Sequence, residues 1–330
     1  MRLSGKHWSE GVAKVVVWLS GLLDFEQVAE VLEQVGQMAV SDSSAWRQAQ
    51  YWGERFGELE AGVWRDDTES ENVLLRKRPK RMGVAMDGTM IHIREEGWKE
   101  LKVGCVFDVE VSPARDERTR EVVELGHAVR NSYVPYLGGP EAFGEQVWTE
   151  ARRRGWDRAS DTQVVGDGAA WVWNLAATHF YDSQQVVDWY HATEHLAQAA
   201  RFLHGDGTPE AQQWFRKWET PLFQGQAEQI AANLTAVSSQ HPSVAADILR
   251  EAGYFDHNQR RMNYLEMREE GWLIGSGMVE SGGKQFKARF AGPGMRWSRA
   301  GAQRLLPVRA AILSGRFDLL WKKAFALPPN

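Results

Sequence analysis

The sequence predicts an α/β protein: a mixed sheet covered by helices, with a helical segment before it and a helical insertion within it. Three observations lead there. Runs rich in β-branched residues, such as GVAMD, LKVGCVFDVEV and TQVVGDG, recur between residues 82 and 167 and are punctuated by glycines. Helix-period stretches, EAFGEQVWTEARRRG and AWVWNLAATHF, alternate with such runs from Glu141 onward. Residues 192–268 contain no strand-like run.

Residues 1–66 read as helical. VAKVVVWLSGLL is followed by LDFEQVAEVLEQVG, where Phe25, Val28, Leu32 and Val35 recur at helical spacing. SDSSAWRQAQYW then offers serine caps for a further helix. Helix, turn, helix with Trp46 and Arg47 early in the second is compatible with helix-turn-helix DNA binding. An antiparallel helical hairpin accounts for the same pattern. Residues 67–81 read as a charged linker, acidic at first and ending in the basic run Arg76–Arg81.

From Met82, GVAMD, TMIHIRE and LKVGCVFDVEV predict three successive strands joined through Gly88 and Gly97, and GHAVRNSYVPYLG adds extended structure. QQVVDWYH is a further strand, closing a first sheet-forming part at residues 82–191. Residues 192–268 form the helical insertion, broken at HGDGTPE and SSQHPS, and residues 269–330 supply C-terminal helices.

Composition narrows the function. VVVWLSGLL, the longest aliphatic stretch, is too short to span a bilayer, and no secretory pattern precedes it, so a cytoplasmic protein without a membrane partner is expected. Cys105 is the only cysteine, which excludes a disulfide framework or cysteine-based zinc site within one chain. Net charge is −5 but unevenly spread: after Glu280, ten Lys or Arg against the single acid Asp318 give +9, leaving −14 elsewhere. That asymmetry points to a polyanionic partner, although a solvated basic face has the same composition.

Three carboxylates carry the chemistry. Asp87 in VAMDGT and Asp167 in VVGDGA each end an apolar run before glycine, and Glu280 in IGSGMVES stands just inside a helix start. Alone, each has a bland explanation in turn chemistry or the helix dipole. Together, hard carboxylate oxygens suit a pair of Mg²⁺ or Mn²⁺ ions.

A meander of three strands followed by alternating helices and strands matches the ribonuclease H-like plan. In it the first strand lies beside the fourth, so Asp87 and Asp167 would meet. The ordered set of VAMDGT, VVGDGAAWVWNLAATHF and IGSGMVES resembles the DDE transposases of bacterial insertion sequences, nearest to the ISKra-type family and more distantly to mutator-like relatives. VVDWYHATEHL, with Asp188 and His191, supports it, as does the block from Gly275 through GPGMRW to RFDLLW. The similarity runs from about Gly83 to Trp321.

The resemblance implies a metal-binding triad of Asp87, Asp167 and Glu280 holding two ions, Asp87 bridging them, with Asp188 and His191 in support. It implies cleavage at transposon ends and strand transfer, hence double-stranded DNA partners (terminal inverted repeats and target), a homodimer or higher multimer, and nucleoid association when bound. Lys284 and Lys287 share the helical face of Glu280, and Arg289 extends that basic edge toward DNA. Arg296 and Trp297 combine a guanidinium with a stacking plane. A Glu280–Lys284 surface pair and a loop anchor at Arg296–Trp297 are the corresponding structural readings.

His191 and His195 stand one helical turn apart but lack a zinc-protease motif. Trp214 and Trp218 suit either base stacking during hairpin formation or helix packing. The rival functions are a DNA-binding regulator or decayed transposase copy, a structure-selective nuclease on the same fold and, more remotely, a carboxylate-pair glycosidase.

Overall fold

The computed structural model describes residues 3–4, 8–62, 81–116 and 120–327. A short antiparallel ribbon, β1 (Leu3–Ser4) and β2 (Trp8–Ser9), leads into three helices. Ser9 caps α1 (Glu10–Ser20), its side chain accepting the Val12 N–H, and Asp24 caps α2 (Phe25–Gln34) by accepting from Gln27. The third, α3 (Asp42–Gly62), is 21 residues long. Its first turns leave Trp46 and Arg47 exposed, whereas the rest packs onto the C-terminal helices. Gln50 reaches the Gly301 carbonyl at 3.1 Å, and the backbones approach so closely that a Cβ on Gly53 would lie 1.8 Å from the Arg304 carbonyl oxygen. The N-terminal helices therefore share a core with the rest of the chain. Residues 67–80 of the expected linker, with residues 63–66 before them, lie outside the described residues; Arg81 opens the sheet.

Five strands form that sheet in the order β5-β4-β3-β6-β7. β3 (Arg81–Ile93) pairs antiparallel with β4 (Gly97–Arg115), and β4 pairs antiparallel with β5 (Val122–Tyr136). On the other side β3 runs parallel to β6 (Asp161–Gly166), and β6 parallel to β7 (Gln184–Val187). The architecture is thus an α/β fold around an open, mixed sheet. One expectation is corrected: GVAMD and TMIHIRE are a single strand. The ladder to β4 runs without a break from Met82↔Asp108 to Ile93↔Gly97, so Asp87 and Gly88 sit mid-strand instead of in a turn. A long antiparallel partner overrides the local turn preference of an Asp-Gly pair.

Period-two alternation gives the sheet two apolar faces. Met82, Val84 and Met86 join Phe143 and Val147 of α4 (Pro140–Arg153) and Val172 and Leu175 of α5 (Ala170–His179) in one core. Ala85, Ile91 and Ile93 join the opposite core, which contains Trp52 and Phe56 of α3 and the C-terminal helices α11 (Gly277–Phe290), α12 (Arg299–Leu313) and α13 (Phe317–Ala326).

Between β7 and α11 stand α6 (Trp189–His204), α7 (Pro209–Phe223), α8 (Ala227–Ser238), α9 (Ala245–Asn258) and α10 (Tyr264–Glu269). No strand occurs from residue 192 to 268, as the sequence predicts. Trp214 and Trp218 are partly buried against the first core. The chain then returns to the sheet along a defined path. Gln163 of β6, fully buried, donates to the Leu273 carbonyl at 2.6 Å and accepts the Leu273 N–H at 3.3 Å. The Trp189 N–H donates to the Ile274 carbonyl at 2.8 Å. These bonds deliver α11 to the sheet face that carries Ala85 and Val165. Among the described residues, no helix is long and apolar enough to cross a membrane.

Candidate active site

The parallel register Ala85↔Val165 points both side chains into the same core. Two residues further along come Asp87, still within β3 and so on the face where α11 packs, and Asp167, just past the end of β6. α11 presents Gly283 toward Asp87, whose Oδ2 lies 3.9 Å from where a Cβ would be. One turn earlier on the same helix is Glu280, about a third exposed.

The electrostatics agree with this convergence. Burial raises the Asp87 carboxyl above its ordinary value, and the carboxylates of Asp167 and Glu280 push in the same direction. The Gly88 N–H and His191 act the other way. Asp87 is therefore a partly buried acid that feels two other acids.

Asp167 follows β6 in a tight turn. Its Oδ1 accepts the Ala169 N–H at 2.8 Å, ahead of α5. Gly168 takes φ +102°, a backbone conformation that side chains resist.

Asp188, fully buried, caps α6: its Oδ1 accepts the His191 N–H at 2.8 Å and its Oδ2 accepts the Ser276 N–H. Ser276 in turn donates its hydroxyl to Glu280 Oε1 at 3.1 Å. Asp188 thus ties the start of α6 to the start of α11, and Ser276 passes that constraint to Glu280. Ligand atoms of Asp188, His191 and Glu280 all lie within 4.8 Å of one another. Both Asp188 oxygens already accept main-chain N–H bonds, so we assign it the anchoring part and leave the more open His191 and Glu280 facing the space.

This donor set fits a hard divalent cation. Carboxylate oxygens predominate, one imidazole stands beside them, and the mutual repulsion at Asp87 is what a cation would relieve.

The expected basic edge divides. Lys284 is 80% exposed, with its ammonium 3.8 Å from Glu280, so the i,i+4 pair exists while the charge stays accessible. Lys287 and Arg296 are also exposed. Arg289 and Trp297 are corrected: both are buried, at 2% and 8% exposure, and neither is available to DNA. Arg289 Nε donates to the Ser20 carbonyl at 2.8 Å, and its guanidinium lies 5.1 Å from the ring centres of Phe25 and Trp297. Desolvation lowers its pKa to about 10. Trp297 is the loop anchor: its indole donates to the Phe290 carbonyl at 2.8 Å and its backbone bonds to His92 and Arg94 of the β3–β4 hairpin.

Sequence reasoning missed Ser276, Tyr254 and Glu251. Ser276 was accessible in principle, standing four residues before Glu280. Tyr254 and Glu251 lie in the helical insertion, and no local pattern connects them to Asp167.

No protein-family model matches the chain, and comparison with curated proteins found no match.

Proposed function

We propose that this protein is a metal-dependent DNA transposase with a ribonuclease H-like catalytic domain. The observation that carries the reading is that Asp87, inside a sheet ordered β5-β4-β3-β6-β7, feels the carboxylates of both Asp167 and Glu280. Three antiparallel strands followed by two parallel ones is the order that plan requires.

In this reading Asp87, Asp167 and Glu280 would hold Mg²⁺ or Mn²⁺, two ions being expected. Bound there, the ions supply activation of the attacking oxygen and stabilisation of the leaving oxygen in an in-line phosphoryl substitution. The chain's own residues do the positioning. Asp188 fixes the entry of α11, Ser276 orients the Glu280 carboxylate, and His191 borders the space beside Asp87. Lys284, Lys287 and Arg296 meet the phosphate backbone from the exposed side. Trp46 and Arg47, exposed early in α3, suit contact with the DNA of an element end. Processing two ends together calls for a dimer or higher multimer.

The test uses labelled DNA carrying the ends that flank the gene, with wild type and Asp87→Asn, in Mg²⁺, Mn²⁺ or EDTA. Metal-dependent nicking at an end, lost in the variant, supports the reading; subsequent joining distinguishes a transposase from a nuclease. Binding without cleavage under every condition would instead identify a regulator.

A further inference from the structure

The turn bearing Asp167 is gripped by the helical insertion. Tyr254 of α9 donates its hydroxyl to the main-chain oxygen of Asp167 at 3.0 Å. Its ring edge closes over Gly168, where a Cβ would lie 2.7 Å from the ring. The ring itself stacks on His195 of α6, with centroids 3.6 Å apart and planes 21° apart. His195 Nδ1 is 2.6 Å from Oε2 of Glu251, a carboxylate only 3% exposed and one turn before Tyr254 on α9.

A buried carboxylate is retained only at a cost in desolvation, which an apolar residue at this position would avoid. Here it fixes an imidazole, the imidazole supports a phenol, and the phenol ends on the backbone of Asp167. That chain of contacts has a direction, and it leads to the second carboxylate of the candidate site.

We propose that Tyr254, held by the His195–Glu251 pair, is a positioning residue for the Asp167 carboxylate, so that the helical insertion sets the geometry of the metal centre. This rests on the reading of Asp87, Asp167 and Glu280 as that centre. The hydroxyl restrains the Asp167 main chain, and the restraint limits the directions its carboxylate can take.

The experiment is Mn²⁺ titration of the full chain, followed by electron paramagnetic resonance, for wild type, Tyr254→Phe and Glu251→Gln, with thermal melting of each. Tyr254→Phe keeps the ring stack and removes only the hydroxyl. The expected result is Mn²⁺ affinity about 10–100-fold weaker in Tyr254→Phe, the range for partners that orient metal ligands, with a melting temperature close to wild type. Glu251→Gln, which preserves shape, should lie between the two. Unchanged Mn²⁺ affinity in Tyr254→Phe, with wild type binding normally, would overturn the proposal alone. Weakened affinity that only parallels a loss of folded protein in both variants would also overturn it. Absence of Mn²⁺ binding by wild type would overturn both this proposal and the metal-centre reading.

Discussion

Asp87 within β3 and Asp167 just past the end of β6 each follow by two residues the parallel-paired positions Ala85 and Val165. Eighty residues of chain separate them, and strand pairing removes that separation. Burial and the facing acids raise the Asp87 carboxyl. A raised folded pKa favours folding below the ordinary carboxyl value, and that advantage disappears as pH rises through the folded value. Above its folded value the ionised Asp87 therefore destabilises the metal-free protein. Asp87→Asn should melt higher than wild type without metal at pH 7, and the difference should shrink as pH falls. Added Mg²⁺ should reverse the order, because only wild type gains binding energy. Thermal melts at several pH values, with and without Mg²⁺, check both signs.

Asp188 makes a different prediction, because its carboxylate accepts two main-chain N–H groups that α6 and the α11 entry cannot otherwise satisfy. Loss of a helix cap costs about 1 kcal/mol, and an orphaned buried donor costs about 1–3 kcal/mol more. Asp188→Ala should thus lose about 2–4 kcal/mol in urea denaturation, on those same scales. A loss below about 0.5 kcal/mol, the usual size for surface changes, would show that the anchor is not needed.

The basic residues near Glu280 should separate into two groups. Lys284→Ala and Lys287→Ala should each lower the slope of log K against log salt for DNA binding by about 0.9, leaving stability within about 0.5 kcal/mol. Arg289→Ala should instead destabilise the protein by about 2–4 kcal/mol, because it opens a buried site and orphans the Ser20 carbonyl. Salt-dependent binding and denaturation on the three variants distinguish the groups.

Much of this arrangement was legible in the sequence where periodicity and local chemistry agree. TQVVGDG, AWVWNLAATHF and the helical character of residues 192–268 are of that kind. GVAMD and TMIHIRE were misread because Asp-Gly is turn chemistry locally, and only the register with β4 shows the strand continuing. Arg289 and Trp297 were misassigned because a basic run after Glu280 looks the same whether it faces solvent or α1. What buries them is Ser20 and Phe25, more than 260 residues earlier in the chain. The same limit hid Tyr254, whose hydrogen bond to Asp167 spans 87 residues.

In the proposed reading Asp87, Asp167 and Glu280 surround one metal centre. The most direct measurement replaces Mg²⁺ with Fe²⁺ and generates hydroxyl radicals at the bound ion, then maps the resulting cuts in the protein backbone. Three clusters of cuts should appear, around Asp87, Asp167 and the start of α11, suppressed together by excess Mg²⁺ and lost in Asp87→Asn. Cuts at only one of these segments, or none that Mg²⁺ suppresses, would contradict it.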